Sequence, residues 1–381
     1  MSDLVRDAID MRPLLREHAA QVEREHRLSP AVLEALHTAG AFRLQLGAAF
    51  GGPAAPPPTY LEALEEYCRG DGSSGWCAMV GTESAACVEA YLDPAVTREM
   101  LAAAPRAVVA FTVVGHGKAV ATPDGYRVTG RWRFASGCRH ADWLSALCVV
   151  HDGDQPVLRA NGAPATVVFA RASDVVLHDT WQVSGLRGTA SDDFELRDIP
   201  IPASHTFDIA APPRDPGAAW RLPLGVRLAM SKAAAVCGMA RGAMDALWPL
   251  LDRTPFAGAK PAREEARVHS ALAQAEASLE GGRAYLYRAV DTAWARARAG
   301  DAFSVEAVAD LRLAIVWSAR QAVSALNLMQ DIAGTGAVLD ADFDRAARDI
   351  AVARQHMQLQ GHILEDVGRV RVGLPPRNPL F

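Results

Sequence analysis

Residues 131–143 read RWRFASGCRHADW. Trp132 and Phe134 stand two apart, the period of a strand with one buried face. Ser136-Gly137 breaks that alternation, and His140 and Trp143 follow the break. An aromatic ring offers an apolar wall, a hydroxyl a polar contact, and glycine lets the backbone come close. Alone, the same residues also describe a buried strand tryptophan and a serine in a turn.

A second stretch, residues 179–193, reads DTWQVSGLRGTASDD and pairs small residues with the hydroxyls of Thr189 and Ser191, near Trp181 and Arg187. Around the two stretches the texture is that of a small β module. Strands are predicted over 107–112, 125–133, 143–150, 165–170 and 194–199, rich in β-branched and aromatic residues and punctuated by turns such as Pro123-Asp124-Gly125. Pro212, Pro213 and Pro216 mark the exit. Before the module the chain reads as helices, with Ser29-Pro30 as one start and 70–74 (GDGSS) as another. After Trp220, Ala-rich periodic segments near 223–251, 260–299, 303–332 and 340–372 predict a four-helix bundle. The expected division is a helical domain over 1–104, a β-domain over 105–215 and the bundle over 216–381.

Composition excludes several classes. There are 39 basic and 44 acidic residues, a net charge of −5, and no basic block, so nothing favours nucleic acid. Six cysteines show no CxxC or zinc spacing and read as reduced, buried thiols, with no metal implied. No apolar run suggests a signal peptide or a membrane span, so a cytoplasmic protein without membrane contact is expected. Gly115-His116-Gly117 lacks the third glycine of a dinucleotide fingerprint, and no G-x-S-x-G elbow occurs.

The first stretch resembles the W-x-F-x-S-G-x-x-H-x-x-W strand and turn of the acyl-CoA dehydrogenase superfamily, in its flavin-dependent monooxygenase branch. The second resembles that family's D-x-W-x-x-x-G-(M/L)-R-x-T-x-S segment, which closes over the flavin. The helix–sheet–bundle order is the same family's layout. The resemblance implies an α+β acyl-CoA dehydrogenase-like fold and flavin contacts at Trp132, Ser136, Gly137, Trp181, Arg187, Thr189 and Ser191. Arg253 and Phe256 fit an R-x-x-F element that reaches a neighbouring subunit's flavin phosphates. Gln330 and Gly334 fit a Q-x-x-G-G-x-G turn in which alanine stands at 333. A homo-oligomer, in this family usually a tetramer, follows from those matches.

Many acyl-CoA dehydrogenases place a glutamate base shortly after an R-D-A/I element. Here Arg348-Asp349-Ile350 is followed by AVARQHMQLQGH, with Met357 at about the glutamate position and no carboxylate before Glu365. Methionine cannot take a proton, so thioester dehydrogenation lacks its usual base. Histidine there resembles the monooxygenase branch, in which reduced flavin and O2 form a C4a-hydroperoxide. His356 is therefore the first catalytic candidate, His140 the second and His116 the third. The spacing of His356 and His362 does not share a helix face. The implied function is the oxygenase component of a two-component monooxygenase. It takes reduced FAD or FMN from a separate flavin reductase and oxygenates an aromatic or polyketide-like small molecule, with Trp76, Met79 and Met230 as candidate pocket liners. The alternatives are a dehydrogenase-like flavoprotein with a relocated base and a non-catalytic paralogue.

Overall fold

The computed structural model describes every residue except 158–164, 209–210, 215–216, 255–259 and 379–380, and Ala165 by its backbone alone. Four principal helices come first: α1 (Asp3–Glu25), α2 (Pro30–Thr38), α3 (Pro57–Gly70) and α4 (Gly72–Tyr91). Their starts are built by short polar side chains. Ser29 caps α2 ahead of Pro30, and Asp71 caps α4 by accepting from the Ser74 N–H at 2.8 Å. Every residue of α4 is buried except Val80 and Glu89, which are partly exposed. Its glycines allow this. A Cβ on Gly75 would lie 2.5 Å from the Cys68 backbone nitrogen, and one on Gly81 would lie 2.5 Å from the Phe42 ring. The helix is the spine against which the other layers pack.

Among the described residues nine strands form one mixed sheet. They are β1 (Val109–Ala110), β2 (Gly117–Thr122), β3 (Gly125–Trp132), β4 (Trp143–Asp152), β5 (Gln155–Pro156), β6 (Ala165–Arg171), β7 (Val176–His178), β8 (Asp193–Pro202) and β9 (Thr206–Asp208). The order is β7-β8-β3-β2-β4-β6-β9, with β1 and β5 also on β4. β4 runs parallel to β1 and β2 and antiparallel to β5 and β6. The expected strand at 107–112 shrinks to two residues, while β2, β7 and β9 carried too weak a pattern to be expected.

The bundle is α5 (Leu224–Leu247), α6 (Ala266–Ala299) and α7 (Val305–Ala333), followed by α8 (Ala341–Ala353) and α9 (Gly361–Arg371). The single helix expected over 340–372 is thus two. Between them Met357–Leu359 form a 3-10 turn, where Arg312, fully buried on α7, donates to Gln358 Oε1 at 2.5 Å. His356 sits at φ −56°, ψ 132° in this break, so the shared-face argument about His362 does not apply. Buried Glu65 on α3 accepts from Arg283 Nε and Tyr287 Oη, each at 2.7 Å, and locks the first helices onto α6.

Candidate active site

The two sequence stretches meet. Ser136 Oγ lies 2.6 Å from Ser191 Oγ, which lies 2.7 Å from Thr189 Oγ1, which donates to the Leu186 carbonyl at 2.8 Å. The last bond fixes the direction of the others. Thr189 has one proton and gives it to a carbonyl, so Ser191 donates to Thr189 and Ser136 donates to Ser191. Ser136 is left with lone pairs and no proton for anything beyond the chain. All three hydroxyls belong to buried residues. Backbone bonds hold the stretches in register, Gly137 N–H to the Thr189 carbonyl at 2.8 Å and Ala135 N–H to the Asp192 carbonyl at 3.1 Å.

Three residues beside the chain have left-handed backbones without being glycine: Phe134 (φ 61°), Leu186 (φ 52°) and Ala190 (φ 44°). Such positions are strained and persist only where neighbours over-determine them. Here Leu186 N–H donates to Asp349 Oδ1 at 2.5 Å, and its carbonyl also accepts from the Trp181 indole at 2.8 Å. Arg348 grips the same loop through the Ser184 carbonyl at 2.6 Å and pairs with Glu23. Buried Asp192 accepts from the N–H groups of Thr180 and Trp181 and from Arg139 Nε. The kink at Phe134 turns its ring outward, 43% exposed, edge-on to Trp181 at 6.0 Å between centroids. An exposed phenylalanine and a half-exposed tryptophan beside buried hydroxyls form an apolar wall with a polar end.

Trp132 is elsewhere. It is fully buried in the sheet, stacked on Phe194 at 5.1 Å, its indole donating to the Leu147 carbonyl at 2.8 Å. A Cβ on Gly117 would lie 2.2 Å from its ring. The Trp132 side chain thus has no exposed face, whereas Phe134, two residues on, is exposed, with the Arg133 guanidinium 4.8 Å from its ring centroid. Arg187 donates to His26 Nε2 through Nε at 3.1 Å, which ties the second stretch to the end of α1.

His356 opens the turn between α8 and α9, its ring 5.9 Å from that of Trp76 on α4. Its Nδ1 accepts from the Gln358 N–H at 3.3 Å, which leaves the proton of a neutral ring on Nε2. Burial, and then the Lys232 ammonium, push its pKa down to about 3. At neutral pH it is a donor through Nε2–H, neither an acid of pKa near 7 nor a strong base. His140 packs on Phe42 at 5.8 Å, and its buried Nε2 has no hydrogen-bond partner. Burial first, and His37 second, lower its pKa to about 4. That nitrogen faces Gly137 (φ 82°), where a Cβ would stand 3.1 Å away. His116 is exposed in the turn before β2. Met357 is 44% exposed. Met79 and Met230 are fully buried core residues, while Trp76 keeps 6% exposure.

Arg253 is exposed and donates to Asp340 Oδ2 at 3.3 Å, which brings it beside the turn that follows α7. Gln330 closes that turn, its carbonyl accepting from Gly334 N–H at 3.1 Å, and Gly334 holds φ 55°. Phe256 lies outside the described residues. Arg253 is thus bonded to a residue that follows the Gln330–Gly336 turn, and Trp248, Val338 and Leu339 of the adjoining segments are exposed. A cavity of about 240 Å³ bordered by Arg69, Asp71, Asp245, Arg345 and Asp349 lies behind the start of α4. Its charged walls suit no flat apolar ring.

The described residues hold no helix long and apolar enough to cross a membrane and no cluster of metal-ligating side chains. Models of the acyl-CoA dehydrogenase N-terminal and C-terminal domains match residues 2–104 and 230–361, together more than half the chain. The chain belongs to the acyl-CoA dehydrogenase superfamily. An indole-3-acetate monooxygenase of Acinetobacter baumannii is 28% identical, the match covering 97% of this chain and 95% of that one. The oxygenase component of an FADH(2)-dependent resorcinol hydroxylase of a Rhizobium species is 27% identical over 96% and 92% of the two chains. The crystal structure of a 3-HSA hydroxylase from a Rhodococcus species superposes with a TM-score of 0.90 over 100% of this chain and 99% of the other, at 22% identity. That likeness establishes the fold, and the curated relatives group the chain with the superfamily's flavin-dependent monooxygenases. Phe134 and Asp349 were named from sequence without a role in the site, and Asp192 was given none either. Only the weak R-D-I match pointed near Asp349, and nothing pointed to Asp192.

Proposed function

We propose that this protein is the oxygenase component of a two-component flavin-dependent monooxygenase, hydroxylating an aromatic or polyketide-like small molecule with reduced FAD or FMN from a separate reductase. The observation that carries the reading is the directed hydroxyl chain ending on Ser136 beside the exposed ring of Phe134 and the partly buried ring of Trp181. The site fits a flavin on its own terms: an apolar wall for the ring, an acceptor for its polar edge, and an unsatisfied His140 nitrogen at the same turn. Reduced flavin, when bound, supplies the two electrons with which O2 is activated for oxygen transfer. Ser136, Gly137, Thr189 and Ser191 position the polar edge, and Phe134 and Trp181 cover the ring. His356 holds its proton on Nε2 and donates it as a hydrogen bond. Met357 at about the glutamate position cannot take a proton, which counts against thioester dehydrogenation.

Arg253, Gln330 and Gly334 would hold the phosphates of a neighbouring copy's flavin, within a homotetramer. The exposed apolar side chains around them support an interface there. Six buried, unbridged cysteines support a cytoplasmic location. The test is anaerobic titration with reduced FMN and FAD, followed by mixing with oxygenated buffer and absorbance at the oxidised-flavin band. Binding of the reduced form with reoxidation slower than free flavin supports the reading. Reoxidation at the free rate from a bound flavin refutes it, and anaerobic bleaching of oxidised flavin by an acyl thioester would establish the dehydrogenase alternative.

A further inference from the structure

Asp71 and Asp349 come from distant parts of the chain and border the same space. Asp71, the cap of α4, is 5% exposed, and Asp349 on α8 is 3% exposed. Both line the charged cavity of about 240 Å³ behind the start of α4, which has room for several waters. Gly72, next to Asp71 in the chain, leaves room for the approach: a Cβ there would lie 2.6 Å from Asp349 Oδ2. Each carboxyl commits one oxygen. Asp71 Oδ2 accepts from the Ser74 N–H at 2.8 Å and from Ser74 Oγ at 2.6 Å, and Asp349 Oδ1 accepts from the Leu186 N–H at 2.5 Å. Among the described residues, Asp71 Oδ1 and Asp349 Oδ2 take no hydrogen bond.

No cation answers the two groups. Of the cavity's arginines, Arg345 pairs with Asp342, while Arg16 and Arg69 pair with Asp245 of α5 at 3.0 and 2.8 Å. Asp340, also on the cavity, pairs with Arg253. Arg348, beside Asp349 in sequence, is held by Glu23 of α1 and by Asp344 at 2.8 Å. Cys68 of α3 adds only a buried thiol. The 184–191 loop presents the Leu186 N–H, since Arg187 turns to His26. Two buried carboxylates with no cation at ion-pair distance do not both stay ionised, because each charge is desolvated and faces its like.

We propose that Asp71 and Asp349 share one proton at this cavity, and that the pair positions the flavin-binding loop through Leu186. This rests on the functional reading above, because it takes the 184–191 loop as the one that meets the flavin. Asp71 is the better anion of the two: it accepts two hydrogen bonds and stands at the positive end of the α4 dipole, whereas Asp349 accepts one. Burial raises both groups, and Asp71 raises Asp349 further. The pair reaches the flavin site through bonds already described. Asp349 holds the nitrogen of Leu186 at φ 52°, and the Leu186 carbonyl takes the proton of Thr189, where the hydroxyl chain from Ser136 ends. When the shared proton leaves for the cavity water, two anions face each other and the brace on Leu186 loosens. An ionised Asp349 is a better acceptor for Leu186, yet burial and the Asp71 charge each outweigh that gain. Flavin therefore binds more tightly at the pH where the pair keeps its proton.

The proton is read by infrared spectroscopy of the flavin-free protein between pH 6 and 9, as the carbonyl stretch of a protonated carboxyl group that shifts in D2O. Its consequence is read by anaerobic titration with reduced FMN and FAD over the same range. Wild type is expected to lose about fivefold or more in affinity as the pair ionises, the scale of one hydrogen bond. Asp349→Asn keeps an acceptor for Leu186, offers a donor toward Asp71 and is neutral at every pH. It should lack the infrared band, bind within a few-fold of wild type at low pH and lose the protein's share of the slope. The flavin's own ionisation is common to all variants, so the readout is the difference in slope. Asp71→Asn removes the like charge but not the burial, and should move the transition to lower pH. Equal slopes in wild type and Asp349→Asn overturn the positioning role. A band missing from wild type, or unchanged in Asp349→Asn, overturns the shared proton. Should Asp349→Asn fail to fold, an unmoved transition in Asp71→Asn overturns the pair by itself. Failure of wild type to bind reduced flavin at any pH overturns the functional reading instead, and the infrared band, which needs no flavin, still decides the pair.

Discussion

Replacing Thr189 with valine tests the direction of the hydroxyl chain. The two side chains have the same shape, and Thr189 is 1% exposed, so no water fills the place of the lost hydroxyl. The Leu186 carbonyl keeps its bond from the Trp181 indole at 2.8 Å. Ser191 loses its acceptor and has Ser136 as its remaining hydroxyl partner at 2.6 Å, so it turns its proton there. Ser136 then sends its own proton outward, and a site that only accepts becomes one that donates.

A reduced flavin ring has N–H donors on its polar edge that the oxidised ring lacks. Facing a donor with a donor, or an acceptor with an acceptor, costs about 1–3 kcal/mol relative to a matched pair, or roughly 5- to 150-fold in a dissociation constant. Wild type is expected to bind reduced flavin more tightly than oxidised, and Thr189→Val to reduce that ratio by about tenfold or more. The assay is the pair of anaerobic and aerobic dissociation constants for FMN and FAD. Thr189→Ser restores the hydroxyl and should restore the ratio. An unchanged ratio in Thr189→Val beside a changed one in Ser136→Ala would refute the direction. Unchanged ratios in both would refute the Ser136 contact.

Other perturbations follow from the same geometry. His356→Ala removes the Nε2–H donor and should raise the share of oxygen released as H2O2, with about 10²-fold loss of coupled turnover. His356→Gln keeps a donor and should lose less, and the His356 pKa near 3 means no rate limb between pH 5 and 8 belongs to this residue. Gly185→Ala places a Cβ 2.1 Å from the Arg348 carbonyl oxygen and 2.6 Å from the Asp349 nitrogen, both backbone. It should cost about 1–3 kcal/mol or more, read as a lower melting temperature and lost flavin binding. Asp349 is raised to about 8 by burial and then by Asp71. Between its unfolded pKa near 4 and 8 the folded state binds the extra proton, so this group's contribution to stability falls as pH rises. Asp349→Asn keeps the acceptor for Leu186 and should flatten the melting-temperature profile from pH 6.5 to 8; an unaltered slope would place the titration elsewhere.

What the sequence concealed is where the backbone leaves its period. Trp132 and Phe134 stand two apart, and alternation puts them on one face; yet β3 ends at Trp132, and the left-handed turn at Phe134 sends the two rings in opposite directions. No glycine announces that turn, nor those at Leu186 and Ala190, so local propensity predicts ordinary strand or loop at all three. The hydroxyl residues were legible as types at a familiar spacing, but the order of donation depends on which carbonyl Thr189 reaches, a fact of three dimensions. The same holds for the broken last helix, whose Ala-rich text continues through a break where Gln358 is met by Arg312, 46 residues earlier. Helix starts, strand runs and the order of layers were readable because they arise from neighbours in sequence. The strained turn at Leu186 is held instead by distant side chains: Asp349 from α8 on Leu186, and Arg348 from α8 on Ser184, each more than 160 positions away. A residue held in a costly conformation by a remote helix is one that local energetics would have rejected, and Leu186 borders the hydroxyl chain. The coincidence of strain, remote bracing and an open apolar wall is therefore an argument for the site that no motif alone provides.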